Sequence, residues 1–159
     1  MATVSNQISS DLIWEIVRNN NAYVVTRRTG GGVRFSRDPL NLKNLHTRKY
    51  AGFVNEKAVG VVPNENGGVK VLSKKASASQ KPVSNFTSTT YHGGKSARRT
   101  YKAVANQTAK NSYRPDLREV AVQRVSAIRR SQRPVKPTPE QKLRGNKAKK
   151  AAAAAEESS

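Results

Sequence analysis

The sequence predicts an α+β fold: a small antiparallel sheet with a short N-terminal helix, two basic C-terminal helices and an extended basic tail. Three observations carry that expectation. Runs of β-branched residues bounded by Gly and Asn clusters lie between residues 22 and 72, apolar residues spaced three and four apart lie between 95 and 133, and Pro, Lys and Ala dominate after 133. Four segments follow: a mixed body over 1–75, an extended connection over 76–94, two basic amphipathic helices over 95–133 and a tail over 134–159.

Ser9-Ser10-Asp11 supplies N-cap residues for a helix through Leu12-Ile13-Trp14-Glu15-Ile16-Val17, ended by Asn19-Asn20-Asn21. Trp14, the single Trp, belongs in the core because it buries a large area without needing a ligand. Ala22 to Thr26 reads as a strand leading into Arg27-Arg28, and Gly30-Gly31-Gly32 turns the chain into a short strand at Val33-Arg34-Phe35. Asp38-Pro39 and Asn41 to Lys49 read as a loop, and Tyr50 to Val54 as a weak strand. Ala58 to Val62 and Val69 to Leu72 flank Pro63 to Gly68, whose Asn-Gly-Gly offers the positive φ angles of a hairpin, with Lys74-Lys75 closing it. From Ala76 to Gly94 the composition is Ser, Thr, Gly and Pro without periodicity, which reads as a connection poorly ordered in free solution.

In Lys95 to Lys110, one arc carries Ala97, Tyr101, Val104, Ala105 and Thr108, while Lys95, Arg99, Lys102 and Lys110 occupy another. Pro115-Asp116 opens the next helix, with Pro tolerated in the first turn and the acid complementing the dipole; Leu117, Val120, Ala121, Val125 and Ile128 form its apolar stripe. Arg118, Arg129, Arg130 and Arg133 flank the stripe, but Arg124 projects from within it. Asp116 and Glu119 are the only acids between Lys75 and Glu140, so either an external phosphate supplies its counter-charge or its stem lies on apolar surface with the head in water. The tail, with Lys142, Arg144, Lys147, Lys149, Lys150 and five alanines before Glu156-Glu157, is expected to be disordered or helical only in contact.

Charge decides the class of partner. Thirty Lys and Arg against ten Asp and Glu give +20 over 159 residues, with 12 bases and 5 acids up to Lys75 and 18 bases and 5 acids after it. A chain so far from balance repels itself and gains most from a dense polyanion. Arg forks span two phosphate oxygens, Lys acts as a mobile point charge, and Tyr23, Tyr50, Tyr91, Tyr101 and Tyr113 offer rings on which unpaired bases stack. Hydrophobic residues make up only 35%, so the core is small.

The same inventory argues against other chemistry. There is no Cys, and His46 and His92 stand far apart, so a metal centre is not expected. Gly94-Lys95-Ser96 lacks the earlier Gly of a phosphate-binding loop, position 89 being Thr, and the Gly30 run fails the dinucleotide pattern at Phe35. The scattered acids form no acid and base pair and no nucleophilic triad is visible, so no catalysis and no small-molecule substrate are expected. No leader or apolar span is evident, so the chain is expected in cytosol or nucleus without membrane partners, and the sequons at Asn85 and Asn106 are chance matches.

Leu12-Ile13-Trp14-Glu15-Ile16-Val17-Arg18-Asn19, Asn41-Leu42-Lys43, Val59-Gly60-Val61, Tyr113-Arg114-Pro115-Asp116-Leu117-Arg118, Ser126-Ala127-Ile128 and Ser131-Gln132-Arg133-Pro134 together resemble the eukaryotic large-subunit ribosomal protein family numbered twenty-eight in the L series. The likeness runs from about Ser10 to Val135 and is most specific at Tyr113 to Arg118; the Gly30 to Gly32 run and the Ala-rich tail depart from it. It implies a cytoplasmic 60S component, passing through nucleus and nucleolus during assembly, that binds large-subunit ribosomal RNA beside neighbouring ribosomal proteins, without catalysis or cofactor. RNA contact is carried onto Arg18, Arg114, Arg118 and Arg133 by motif. Arg27, Arg28, Lys74, Lys75, Lys95, Arg98, Arg99, Lys102, Arg124, Arg129 and Arg130 join them on charge alone. The alternative from composition is a duplex-DNA or chromatin architectural protein.

Overall fold

A computed structural model of the chain describes residues 8–78, 81, 83–139, 142 and 144–156. The stretch up to Gln7, on which the expectation of no leader falls, lies outside them, as do parts of the connection and of the tail. The element order is α1 (Ser10–Val17), β1 (Val24–Arg27), β2 (Val33–Ser36), β3 (Val59–Pro63), β4 (Gly68–Lys74), β5 (Phe86–His92), α2 (Ala97–Ala109), α3 (Arg118–Ser131) and α4 (Asn146–Glu156). This is the expected α+β architecture, with the strands divided between two antiparallel sheets: β1-β2 and β3-β4-β5.

The main core forms because β3 and β4 alternate. Val59 and Val61 on one strand and Val69 and Val71 on the other are buried on a common face, where α3 lays Leu117, Ala121, Val125 and Ile128 and α2 lays Val104. The α3 stripe is therefore the one read from its spacing. On α2 the buried residues are Thr100, Val104 and Thr108, with Tyr101 half-buried. Burying Thr is tolerable there because Thr100 Oγ1 donates to the Ser96 carbonyl at 3.0 Å and Thr108 Oγ1 to the Val104 carbonyl at 3.1 Å. Gly60 keeps the opposite face of β3 open to the Pro39-Leu40 backbone, with which any Cβ would collide.

Local signals set the ends of the elements. Ser9 caps α1, its Oγ accepting from the Leu12 amide at 3.2 Å, and Trp14 enters a second small core with Ala51 and Val54. Leu12 and Ile16 stay on the surface. Gly67 and Gly68 take φ of 78° and 86° and close the β3-β4 hairpin. A single turn of 3-10 helix over Pro115–Leu117 leads into α3.

Three expectations are corrected. Tyr50 to Val54 forms turns rather than a strand: the Ala51 amide bonds the Thr47 carbonyl at 3.0 Å and the Val54 amide bonds the Ala51 carbonyl at 3.2 Å. Its apolar residues signalled burial, not extension. Second, Phe86–His92, inside the segment read as a structureless connection, is the third strand of the larger sheet, paired to β4 from Gly68↔His92 to Lys74↔Phe86. Third, α4 is helical over Asn146–Glu156, where helix was expected only in contact, in keeping with the propensity of its alanines.

Candidate nucleic-acid interface

The cations fall into those spent inside the fold and those left free. Lys74 is spent: its Nζ donates to the carbonyls of Asn55 at 2.9 Å, Phe53 at 3.2 Å and Gly52 at 3.5 Å. Burial lowers its pKa, opposed by Asp38 and Glu56. Asp38, only 3% exposed, accepts from the Leu40 amide at 2.9 Å and the Phe53 amide at 3.0 Å; burial nonetheless raises its pKa. Together they pin the 38–55 loop onto β4.

Arg114 is also engaged. Its fork meets both oxygens of Asp116 at 2.8 Å, and its Nη1 and Nη2 donate to the Lys57 carbonyl at 2.8 Å and the Lys49 carbonyl at 3.3 Å. The hydrogen bond to Arg114 holds Asp116 below its ordinary range and in turn raises Arg114. The neighbouring Tyr113 hydroxyl donates to the Ala58 and Lys74 carbonyls. The motif over Tyr113 to Arg118 therefore acts as a clasp between the start of α3 and the sheet. Arg129 does similar work, its Nη2 donating to the Gly93 carbonyl at 3.1 Å and the Lys95 carbonyl at 2.9 Å.

The remaining predicted residues are placed otherwise. Arg27, Arg28, Lys75, Arg98, Arg99, Lys102, Arg118, Arg130 and Arg133 are exposed, and none has a side-chain hydrogen-bond or ion-pair partner among the described residues. Arg18 pairs with Glu15 at 2.9 Å on the surface of α1, and Lys95 sits 5.0 Å from the Tyr91 ring centre. Arg124 is half-buried with its Nε sealed from solvent and unpartnered, so no carboxylate of the described residues serves it.

Some of these residues converge. A groove of about 1000 Å³ between α2 and the start of α3 brings together Arg98, Lys102 and Arg118 around the half-buried Tyr101. The two acids on its wall are occupied, Asp116 by Arg114 and Glu119 by the Gln123 amide at 3.1 Å. Arg27 lines a separate depression with Thr29 and Gly30, away from that groove. Sequence reading overlooked Asn85, which is 7% exposed with an unpartnered side-chain oxygen, and Asp38; only the Asp-Pro pair at 38–39 and a sequon drew notice to them. Burial also denies the Asn85 sequon any use.

Fold and surface together define a small, strongly basic α+β protein. Among the described residues no cluster of His, Asp and Glu could hold a metal ion, and no helix is long and apolar enough to cross a membrane. Comparison with known proteins gives the family. The Ribosomal L28e protein family matches residues 12–131, and the chain belongs to it. It is 40% identical over 130 residues to large ribosomal subunit protein eL28 of Schizosaccharomyces pombe, covering 81% of this chain and 96% of the relative. Against the protein of the same name from Caenorhabditis elegans it is 33% identical over 125 residues, covering 79% and 91%. Against that from Dictyostelium discoideum it is 30% identical over 139 residues, covering 87% and 100%.

Proposed function

We propose that this chain is a structural constituent of the large ribosomal subunit that binds and stabilises folded ribosomal RNA through distributed Arg and Lys contacts to phosphate, and so supports cytoplasmic translation. The observation that carries the reading is the set of exposed, internally unpaired cations among the described residues, three of which, Arg98, Lys102 and Arg118, line the α2-α3 groove. Membership of the ribosomal family supports it. Phosphates give such groups the counter-charge that the chain, at +20, does not.

In this reading the body over 1–75 and the helices over 95–133 form the folded anchor, and the tail over 134–159 is a basic arm. Neighbouring proteins of the subunit would cover the exposed Leu12 and Ile16 of α1. Basic residues of the tail serve import, so that the protein passes through the nucleus and nucleolus before reaching the cytoplasm. No step of chemistry is assigned to any residue.

Sedimentation of cell extract tests the proposal. After digestion of DNA, the protein should cofractionate with large ribosomal subunits and leave them on RNA digestion. Retention on chromatin that DNA digestion releases would instead favour an architectural role on duplex DNA.

A further inference from the structure

A depression of about 420 Å³ lies beside the C-terminal end of α2, walled by Lys57 ahead of β3, Thr87 on β5, and Asn106, Lys110 and Asn111 at the end of the helix. None of these belongs to the residues read from charge or motif as RNA contacts. The half-buried floor is satisfied internally. The Tyr113 hydroxyl donates to the Ala58 and Lys74 carbonyls, the Tyr91 hydroxyl donates to Gln107 Oε1 at 3.2 Å, and Gln107 Nε2 donates to Ser73 Oγ at 3.1 Å. The wall differs: Lys57, Thr87, Asn106, Lys110 and Asn111 are all exposed, and none has a side-chain partner among the described residues.

No acid among the described residues lines this depression, whereas Asp116 and Glu119 stand on the wall of the α2-α3 groove. Its two lysines therefore draw an anion. Lys110 also suits the carbonyl end of α2, where a cation is favoured, but Lys57 lies outside any helix and has no such use. Asn111 takes a left-handed conformation, φ 59° and ψ 27°, which breaks the helical path after α2 and which Asn tolerates better than most residues. The amides and the Thr87 hydroxyl can each donate and accept, as can a ribose 2′-hydroxyl, while a phosphate only accepts. A phosphate with its adjoining ribose uses both capacities of the wall; a carboxylate uses the donors alone.

The depression is also continuous with the groove. Asn106 lines both, and Arg98, Lys102, Asn106 and Lys110 recur every four residues along α2, about 6 Å apart on its axis. We propose that an RNA strand seated in the groove continues along this row and that the depression binds its ribose-phosphate backbone, with Lys57 and Lys110 on phosphate and Thr87, Asn106 and Asn111 hydrogen-bonding a 2′-hydroxyl. The inference rests on the RNA-binding reading and adds to it a contact by which the chain tells RNA from DNA.

Binding of the full chain to a single-stranded RNA and to the 2′-deoxy strand of the same base sequence, measured by fluorescence anisotropy across a salt series, tests it. RNA should bind about tenfold more tightly, the order of effect of one or two hydrogen bonds. Thr87→Val with Asn106→Ala should bring RNA down to the level of the 2′-deoxy strand and leave the latter unchanged. Lys57→Gln with Lys110→Gln should weaken both strands alike and reduce the salt slope by about 1.4, as two contacts on a single strand require. All four positions are exposed, so the circular dichroism of both variants should match that of the parent chain. A photo-crosslinker at position 57 in assembled subunits should capture RNA. A Thr87→Val, Asn106→Ala chain that still prefers RNA, a salt slope indifferent to the two lysines, or capture of a protein at position 57 would overturn the proposal. Equal binding of the two strands would strike the depression alone, whereas no RNA binding at all would strike the wider reading.

Discussion

Arg114 and Arg118 sit four residues apart in one motif and do different work. Arg114 spends its fork on Asp116 and two carbonyls with its side chain 17% exposed, while Arg118 lines an open groove. Replacing Arg114 by Ala should therefore destabilise the protein by about 2 kcal/mol in urea unfolding, the scale of hydrogen bonds to a charged group. Arg118→Ala with Arg133→Ala should leave the urea midpoint unchanged and weaken RNA binding. Titration separates the pair further. Asp116 is held below its ordinary 3.8 by Arg114, so its contribution is full above 3.8 and is lost as pH falls through the folded value. In the Arg114→Ala chain the Asp116 carboxyl resonance should titrate nearer 3.8. Asp38 runs the other way: burial raises it, so its contribution is greatest when protonated and declines as pH climbs through its folded value. Lys74→Met would strand three carbonyls and the Asp38 charge, and should cost about 3 kcal/mol by the same unfolding measurement.

At the level of elements, the larger sheet depends on how closely the 38–40 loop lies on β3. Gly60 leaves room for the Pro39 carbonyl, so Gly60→Ala should force the loop away and lower stability by about 3 kcal/mol, read as a fall in thermal midpoint. The hairpin was legible because its turn chemistry is local, in Asn66-Gly67-Gly68, and α1 and α3 because a cap and an apolar stripe are local too. β5 was not, since its Thr and Ser residues carry no apolar alternation and gain their pairing from β4. The Tyr50 to Val54 segment misled for the converse reason: Ala51 and Val54 are buried, and burial alone does not tell a turn from a strand. The candidate interface was half legible. Charge located the free arginines of α2 and α3, but only folding reveals that Lys74, Arg114 and Arg129 have carbonyl partners distant in sequence.

Across the whole molecule the balance of forces turns on charge that the fold leaves uncompensated. Ion pairs among the described residues are few and at the surface or half-buried, Arg18–Glu15, Arg48–Asp11 and Arg114–Asp116, so they cancel little of the +20. Added salt therefore acts in two opposing directions. It screens self-repulsion and should raise the thermal midpoint of the free protein, while it removes the entropy gained when counterions leave RNA. If roughly six phosphates are neutralised, the logarithm of the RNA association constant should fall with the logarithm of salt at a slope of about -4 to -5. Exchanging the groove cations Arg98, Lys102 and Arg118 together for Gln removes up to three of those contacts, and the slope should shrink to about half while the fold persists. A slope unchanged by that substitution would place the RNA on another face of the protein, and a slope near zero would remove electrostatics as the source of affinity.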